Sequence, residues 1–196
     1  IDFQYEKPNH PKLEKFRKAA QLDDVVAGAK NDFDALVRLM DWTGSCKNPR
    51  DVKKFETNGV YAWDIDNVFE VKDGKPYIYG HCMSYAEVLV TAATAMGYVG
   101  AMHMNMVGFR EATHEVVEIW VPSLARWVYF DPSLSNHYYD KATGQPMSIV
   151  DIHNLIVDKF MLPGKDMHWW MEQKNTETRN RVKEVGGQKH IGCRLG

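Results

Sequence analysis

Three chemically different residues stand in order at the predicted ends of regular elements, and this order constrains the fold more than any other feature. Cys82 lies where a loop containing Gly80 turns into a helix. His114 opens a predicted strand, and Asp131 closes the strand that follows. A thiol nucleophile, its base and the group that orients the base would occur in this order, each at the end of a regular element.

The helix that begins at Cys82 is predicted from the spacing of its apolar residues. These residues form one broad helical face and occupy positions 82, 85, 86, 89, 90, 92, 93 and 96. Gly97 supplies the stop. Cys82 therefore falls in the first turn, where unpaired N–H groups and the helix dipole favour a thiolate and can stabilise an oxyanion. A buried cysteine that acts as a small apolar residue is the commoner role for a lone cysteine, but the downstream residues favour a nucleophile.

A hairpin is predicted to bring His114 and Asp131 together. The runs 114–121 and 126–131 are rich in β-branched and aromatic residues, and a turn beginning at Pro122 separates them. If Val121 pairs with Arg126, His114 and Asp131 become diagonal neighbours on the same face, about 7–8 Å apart at Cα. A slip of one residue would place them on opposite faces.

Several motifs recur in a known family. They are Gly80-His-Cys-x3-Ala86, a helix ending in Met96-Gly97-Tyr98, His114-x3-Glu118-x-Trp120, and Trp127-Val-Tyr-Phe-Asp131-Pro132. Over residues 33–155 the chain resembles the transglutaminase-like core of the papain-like cysteine-enzyme superfamily, and the stretch 136–146 is similar to bacterial secreted members. The resemblance implies an α+β fold in which a nucleophile helix packs on an antiparallel sheet. It also implies that Cys82 is the nucleophile, His114 the base and Asp131 the orienting group.

The chain departs from the family pattern directly after His114. The family usually has an alanine and an aromatic residue there, whereas this chain has Glu115 and Val116. This departure bears on substrate handling more than on the triad. His81, Met83 and Glu115 are candidates for lining the cleft.

An oxyanion hole needs a second donor besides the backbone N–H of Cys82. Upstream indole N–H groups can serve, and Trp63 and Trp42 are the candidates. By residue type, Cys82 and Asp131 could form a metal site with four histidines: His81, His103, His114 and His137. The chain has neither a C-x2-C pair nor an H-E-x-x-H helix, so no metal and no cofactor are expected.

The predicted organisation is a helical lead-in over residues 1–32, a catalytic core over 33–160 and a C-terminal extension over 161–196. A net charge of −2 gives no reason to expect a nucleic-acid partner. No apolar run is long enough to predict a membrane span. The chain begins at Ile1 rather than Met, which is compatible with removal of a leader.

The two other cysteines leave two alternatives open. Cys46 and Cys193 are either a disulfide or two reduced thiols. A disulfide would suit an extracytoplasmic enzyme, and an extracytoplasmic or secreted location is the expectation.

The predicted function is acyl transfer on a peptide or protein amide through a thioester on Cys82. Hydrolysis is preferred over transfer to a lysine amine, because a small single domain has little extra surface with which to exclude water. The alternative is a non-catalytic module that binds protein or glycan and retains the fold. Such a module needs no activated thiol, so the reactivity of Cys82 separates the two hypotheses.

Overall fold

The computed structural model describes residues 7–49, 64–98, 102–107 and 113–160. Its α-helices and β-strands in chain order are α1 (Pro11–Ala19), α2 (Leu22–Val26), α3 (Asp32–Ser45), α4 (Ile65–Val68), β1 (Phe69–Lys72), β2 (Lys75–Ile78), α5 (Cys82–Ala95), β3 (Met102–Val107), β4 (Thr113–Val121), β5 (Arg126–Phe130) and α6 (Ile149–Phe160). This combination of helices and small antiparallel sheets gives the predicted α+β class. The predicted C-terminal extension lies outside the described residues.

The larger described sheet is antiparallel and has the order β3-β4-β5. The β4–β5 hairpin pairs Val121 with Arg126 and Val117 with Phe130, which is the register predicted from the sequence. A short 3-10 helix at Pro122–Leu124 and a left-handed Ala125 make the turn. The Asp32 carboxylate fastens this turn to the start of α3, because it accepts hydrogen bonds from both the N–H and the hydroxyl of Ser123.

Helix α5 is the central helix of the fold. It packs against β4 on one side and against α1, α3 and α4 on others. More of its circumference is therefore buried than the single apolar face that the sequence predicted; its buried residues are Ser84, Ala86, Val88, Leu89, Ala92, Ala93 and Ala95. The small side chains among them let neighbouring elements approach closely. Gly97, with φ +90°, ends the helix as predicted.

The predicted lead-in contributes to the same core as the helix. Leu13 and Phe16 of α1 are buried in one apolar cluster with residues of α3, α5, β4 and β5. The Phe16 ring meets the Phe69 ring edge to face at 4.9 Å. Burial of these two side chains thus holds α1 against the helix that carries Cys82.

A second hairpin, β1–β2, lies just before α5. Asp73 and Gly74, with φ of 52° and 69°, form its turn. Lys47 extends this hairpin in parallel with β2: its N–H donates to the carbonyl of Pro76 and its carbonyl accepts from Ile78. This pairing places the chain beside β2 soon after the end of α3.

Among the described residues, no helix is both long enough and apolar enough to span a membrane.

Candidate active site

Cys82 occupies the first position of α5, directly after a turn that requires glycine. Gly80 has φ +112°, a conformation that side chains with a Cβ rarely adopt. His81 is the N-cap in an extended conformation, and its side chain makes no capping hydrogen bond. The first turn of α5 carries no acidic residue. No side-chain cap or acidic residue therefore competes for the positive end of the helix dipole, which can interact with the thiol of Cys82 and with a ligand.

Hydrogen bonds around the sulfur favour the thiolate of Cys82. The side chain of His114 hydrogen-bonds the thiol, and this contact is the main reason why the pKa of Cys82 is lowered below its ordinary value, although burial opposes it. The backbone N–H of Glu115 donates to Sγ over 3.4 Å, and the N–H of Met83 contributes in the same direction. Donors to a charged sulfur stabilise it over the neutral thiol.

His114 bridges the thiol and the carboxylate of Asp131. Its Nε2 lies 2.7 Å from Oδ2 of Asp131. The hydrogen bond to Asp131, followed by the contact with Cys82, raises the pKa of His114 to about 10. The hairpin register explains the contact with Asp131, because positions 114 and 131 are same-face diagonal neighbours.

The other oxygen of the Asp131 carboxylate is held by the turn that follows β5. Oδ1 accepts from the N–H of Ser133 at 3.1 Å, from the hydroxyl of Ser133 at 2.8 Å and from the N–H of Leu134 at 3.2 Å. Backbone hydrogen bonds in both directions between Asp131 and Asn136 close the turn. Asp131 is only 1% exposed. Its carboxylate is therefore fixed in orientation, with one oxygen committed to the turn and the other to His114.

Helix α3 packs closely against this turn at Gly44. A Cβ at that position would meet the hydroxyl of Ser135 and lie 2.9 Å from the carbonyl of Pro132. Only a glycine lets α3 come this close to the segment that carries the Asp131 hydrogen bonds.

The three residues form a gradient of exposure. Asp131 is buried, the His114 side chain keeps 36% of its surface exposed, and Cys82 is half-buried. The contact between them lowers the pKa of Cys82 and contributes to raising the pKa of His114 to about 10, so each group favours the charged form of the other. The arrangement supports a thiolate–imidazolium pair that solvent and a ligand can reach.

The predicted oxyanion-hole and cleft-lining residues differ in burial and in their contacts. Trp63 lies outside the described residues. Trp42 is partly buried and packs against Phe69, with ring centroids 5.9 Å apart. His81 is exposed and Met83 is half-buried, both beside Cys82. The Glu115 side chain is buried, and it is the backbone of this residue that contacts the thiol.

The other potential ligands and thiols give no second centre in the part of the chain that the structure describes. There, no three His, Cys, Asp or Glu side chains are grouped so that they could hold a metal ion. Cys46 is buried and free, and burial raises the pKa of its thiol to about 12. Its predicted partner, Cys193, lies outside the described residues.

Sequence reasoning missed Ser133 and Gly44. The run Asp131-Pro132-Ser133 carries a turn signal, because aspartate side chains bond backbone N–H groups in such turns. That signal could have assigned the bond to Ser133. Nothing local to Gly44 indicates a close approach to a turn so distant in sequence.

The transglutaminase-like superfamily model matches residues 19–132, more than half of the 196-residue chain. The chain belongs to the transglutaminase-like superfamily. Members of this superfamily are generally enzymes with cysteine-based acyltransferase or protease activity. No curated protein and no solved structure gives a significant match to the sequence.

Proposed function

We propose that this protein is an amide-directed acyl-transfer enzyme that uses Cys82 as nucleophile, His114 as general base and acid, and Asp131 as the group that orients His114. The single observation that carries the proposal is the bridging position of His114. One of its ring nitrogens bonds the carboxylate of Asp131 at 2.7 Å, and the ring also bonds the thiol of Cys82.

The first half-reaction begins from the thiolate–imidazolium pair. The sulfur of Cys82 attacks the carbonyl carbon of a peptide or protein amide, and the carbonyl electrons move onto oxygen. The backbone N–H of Cys82, at the start of α5, has no intrahelical acceptor and is suited to stabilise that oxyanion. The imidazolium of His114 then gives its proton to the leaving amine as the C–N bond breaks, and a thioester on Cys82 remains.

The second half-reaction resolves the thioester. His114, now neutral, takes a proton from an incoming nucleophile, which attacks the thioester carbonyl. Collapse expels the thiolate of Cys82, and the imidazolium partner is restored. Asp131 stabilises the imidazolium and fixes the ring throughout.

Water is the acceptor that we propose, which makes the enzyme a peptidase or amidase. The exposure of the His114 side chain, at 36%, supports this choice, because water can reach the base that must activate it. A primary amine in the same position would give transglutamination, and the acceptor is the only difference between the two reactions.

The proposal is tested by trapping the acyl-enzyme. The full chain is incubated with a library of peptide amides and quenched in acid, and the mass of the protein is measured. We expect an adduct on the peptide that contains Cys82. The C82S variant should lose the thioester, whereas C46S, which removes a buried thiol of raised pKa, should retain it.

A competition experiment separates hydrolysis from transfer. A fluorescent primary amine is added at increasing concentration, and the free acid and the amide products are quantified. Hydrolysis predicts that the acid dominates at low amine concentration. Absence of any acyl adduct or turnover, together with an unreactive Cys82, would overturn the proposal and favour a binding module.

A further inference from the structure

Asn48 connects the chain segments on the two sides of Cys82. Its side-chain Nδ2 donates to the carbonyl of Gly80 over 2.9 Å. Burial raises the pKa of Tyr85, in the first turn of α5, and a side-chain hydrogen bond with Asn48 acts against this rise. The nucleophile lies between these two anchor points, Gly80 before it and Tyr85 after it. One amide thus joins the loop and the helix whose junction carries the thiol.

The position of Asn48 is itself well determined. Its neighbour Lys47 pairs with β2 through hydrogen bonds of 3.0 Å to Pro76 and 2.9 Å from Ile78. The Lys47 ammonium lies 5.7 Å from the centre of the Tyr77 ring. Pro49 follows and restricts Asn48 to an extended backbone. The side chain of Asn48 is therefore supported by a strand that leads directly to Gly80.

Gly80 is the point in the nucleophile turn that most needs a restraint. Glycine has no Cβ to limit its backbone, and Gly80 uses this freedom with φ +112°. Rotation there would swing His81 and the start of α5, and with them the sulfur of Cys82. A hydrogen bond on the Gly80 carbonyl opposes that rotation, and the bond to Tyr85 ties the restraint to the partly buried side of the helix.

We propose that Asn48 is a positioning residue for Cys82, which holds Gly80 and Tyr85 together so that the thiol stays within reach of His114. The inference rests on the proposed role of Cys82 as nucleophile. Asn48 acts through the backbone and through Tyr85, and it takes no part in bond making. A misplacement of about 1 Å in a catalytic group can reduce a rate on the order of 100-fold.

The test uses the full chain and three variants: N48A, Y85F and N154A. N48A removes both hydrogen bonds without adding charge, and Y85F removes only the hydroxyl. Asn154 is exposed on α6, and within the described part of the chain its side chain hydrogen-bonds only the neighbouring His153. N154A is therefore the matched control. For each variant we would measure the pH midpoint of Cys82 alkylation by iodoacetamide, the acylation rate and the melting temperature.

We expect N48A to move the alkylation midpoint upward, towards the ordinary thiol value, and to slow acylation by ~10–100-fold. Y85F should shift both in the same direction by less, and N154A should match the wild type. A change in melting temperature alone would mean that Asn48 is only structural, because general loss of stability does not move the midpoint of a folded protein. If N48A does not fold, an unchanged midpoint and rate in Y85F overturn the inference.

The wild-type protein separates this inference from the proposed function. If Cys82 of the wild type has no depressed midpoint and forms no acyl adduct, the proposed function fails. If the wild type shows both and N48A retains them, only the role of Asn48 fails.

Discussion

The Nε2 atom of His114, on β4, lies 2.7 Å from Oδ2 of Asp131, which directly follows β5. The contact follows from the β4–β5 register, in which Val117 faces Phe130 and the diagonal places 114 and 131 on one face. A hairpin shifted by one residue would separate the two side chains. The proposed catalytic base therefore depends on the turn at residues 122–125, far from the chemistry.

Replacement of Asp131 by asparagine is expected to abolish most activity without unfolding the protein. The amide oxygen can still accept the hydrogen bonds from Ser133 and Leu134, so the turn remains supported. The variant has no carboxylate to stabilise the imidazolium, and kcat should fall on the order of 10⁴-fold. Steady-state kinetics and an NMR titration of His114 would check this, and a His114 pKa that stays near 10 would contradict it.

Replacement of Ser133 by alanine is expected to impair catalysis mildly. It removes the 2.8 Å hydroxyl bond to Oδ1 of Asp131 but leaves both backbone N–H donors. A single such bond contributes about 1 kcal/mol, so we expect a loss of roughly fivefold in kcat/KM. S148A is the matched control, because it removes a serine–carboxylate bond to Asp151 in the first turn of α6. Equal activity losses in both variants would contradict a specific role for Ser133.

An alanine at position 44 is expected to disturb the turn that holds Asp131. The new Cβ would lie 2.9 Å from the carbonyl of Pro132 and meet the hydroxyl of Ser135, so the turn must shift. We expect G44A to lose about 1–3 kcal/mol of stability and also activity. S45A, at the adjacent exposed position, should change little. Chemical denaturation and kinetics of both variants test this; unchanged activity in a folded G44A would show that the turn adapts.

Stability should depend on pH through His114 in a background without the thiol. The C82S background is needed because Cys82 and His114 exchange the same proton in the native protein. The contact with Asp131 raises the folded pKa of His114 above 6.5, so its stabilising contribution is fully present below pH 6.5 and is lost as the pH rises through the folded value. The melting temperature of C82S should therefore fall towards that of C82S/H114A as the pH rises above 6.5. Parallel curves would contradict the linkage.

The features that could be predicted from the sequence are those that residues close together in the chain determine. The helix from Cys82 was predicted because apolar spacing and Gly97 mark its two ends. The adjacency of His114 and Asp131 was predicted by counting the hairpin register from Pro122. Both depend on near neighbours in sequence, and side-chain alternation transmits the register along the strands.

The features that were not predicted depend on tertiary contacts. Helices α2 and α4 are too short for a periodic signal, and β1 and β2 are strands of four residues each. The hydrogen bonds of Asn48 to Gly80 and Tyr85, and the approach of Gly44 to the 132–135 turn, join segments remote in sequence. The sequence around each of these residues carries no signal for a contact with so distant a segment.

The central claim is that Cys82 and His114 form a reactive ion pair, and the pH profile of Cys82 alkylation tests it most directly. Iodoacetamide labelling of the full chain, with mass mapping of each cysteine, is followed from pH 5 to 11, a range of assay conditions chosen to bracket the ordinary thiol pKa of about 8.5. We predict that Cys82 labels rapidly at pH 6–7, well below that value, while the buried Cys46, with a pKa of about 12, stays protected. H114A should move the Cys82 midpoint upward to the ordinary thiol range. A wild-type Cys82 that reacts only above pH 8, or a midpoint that H114A leaves unchanged, would contradict the ion pair.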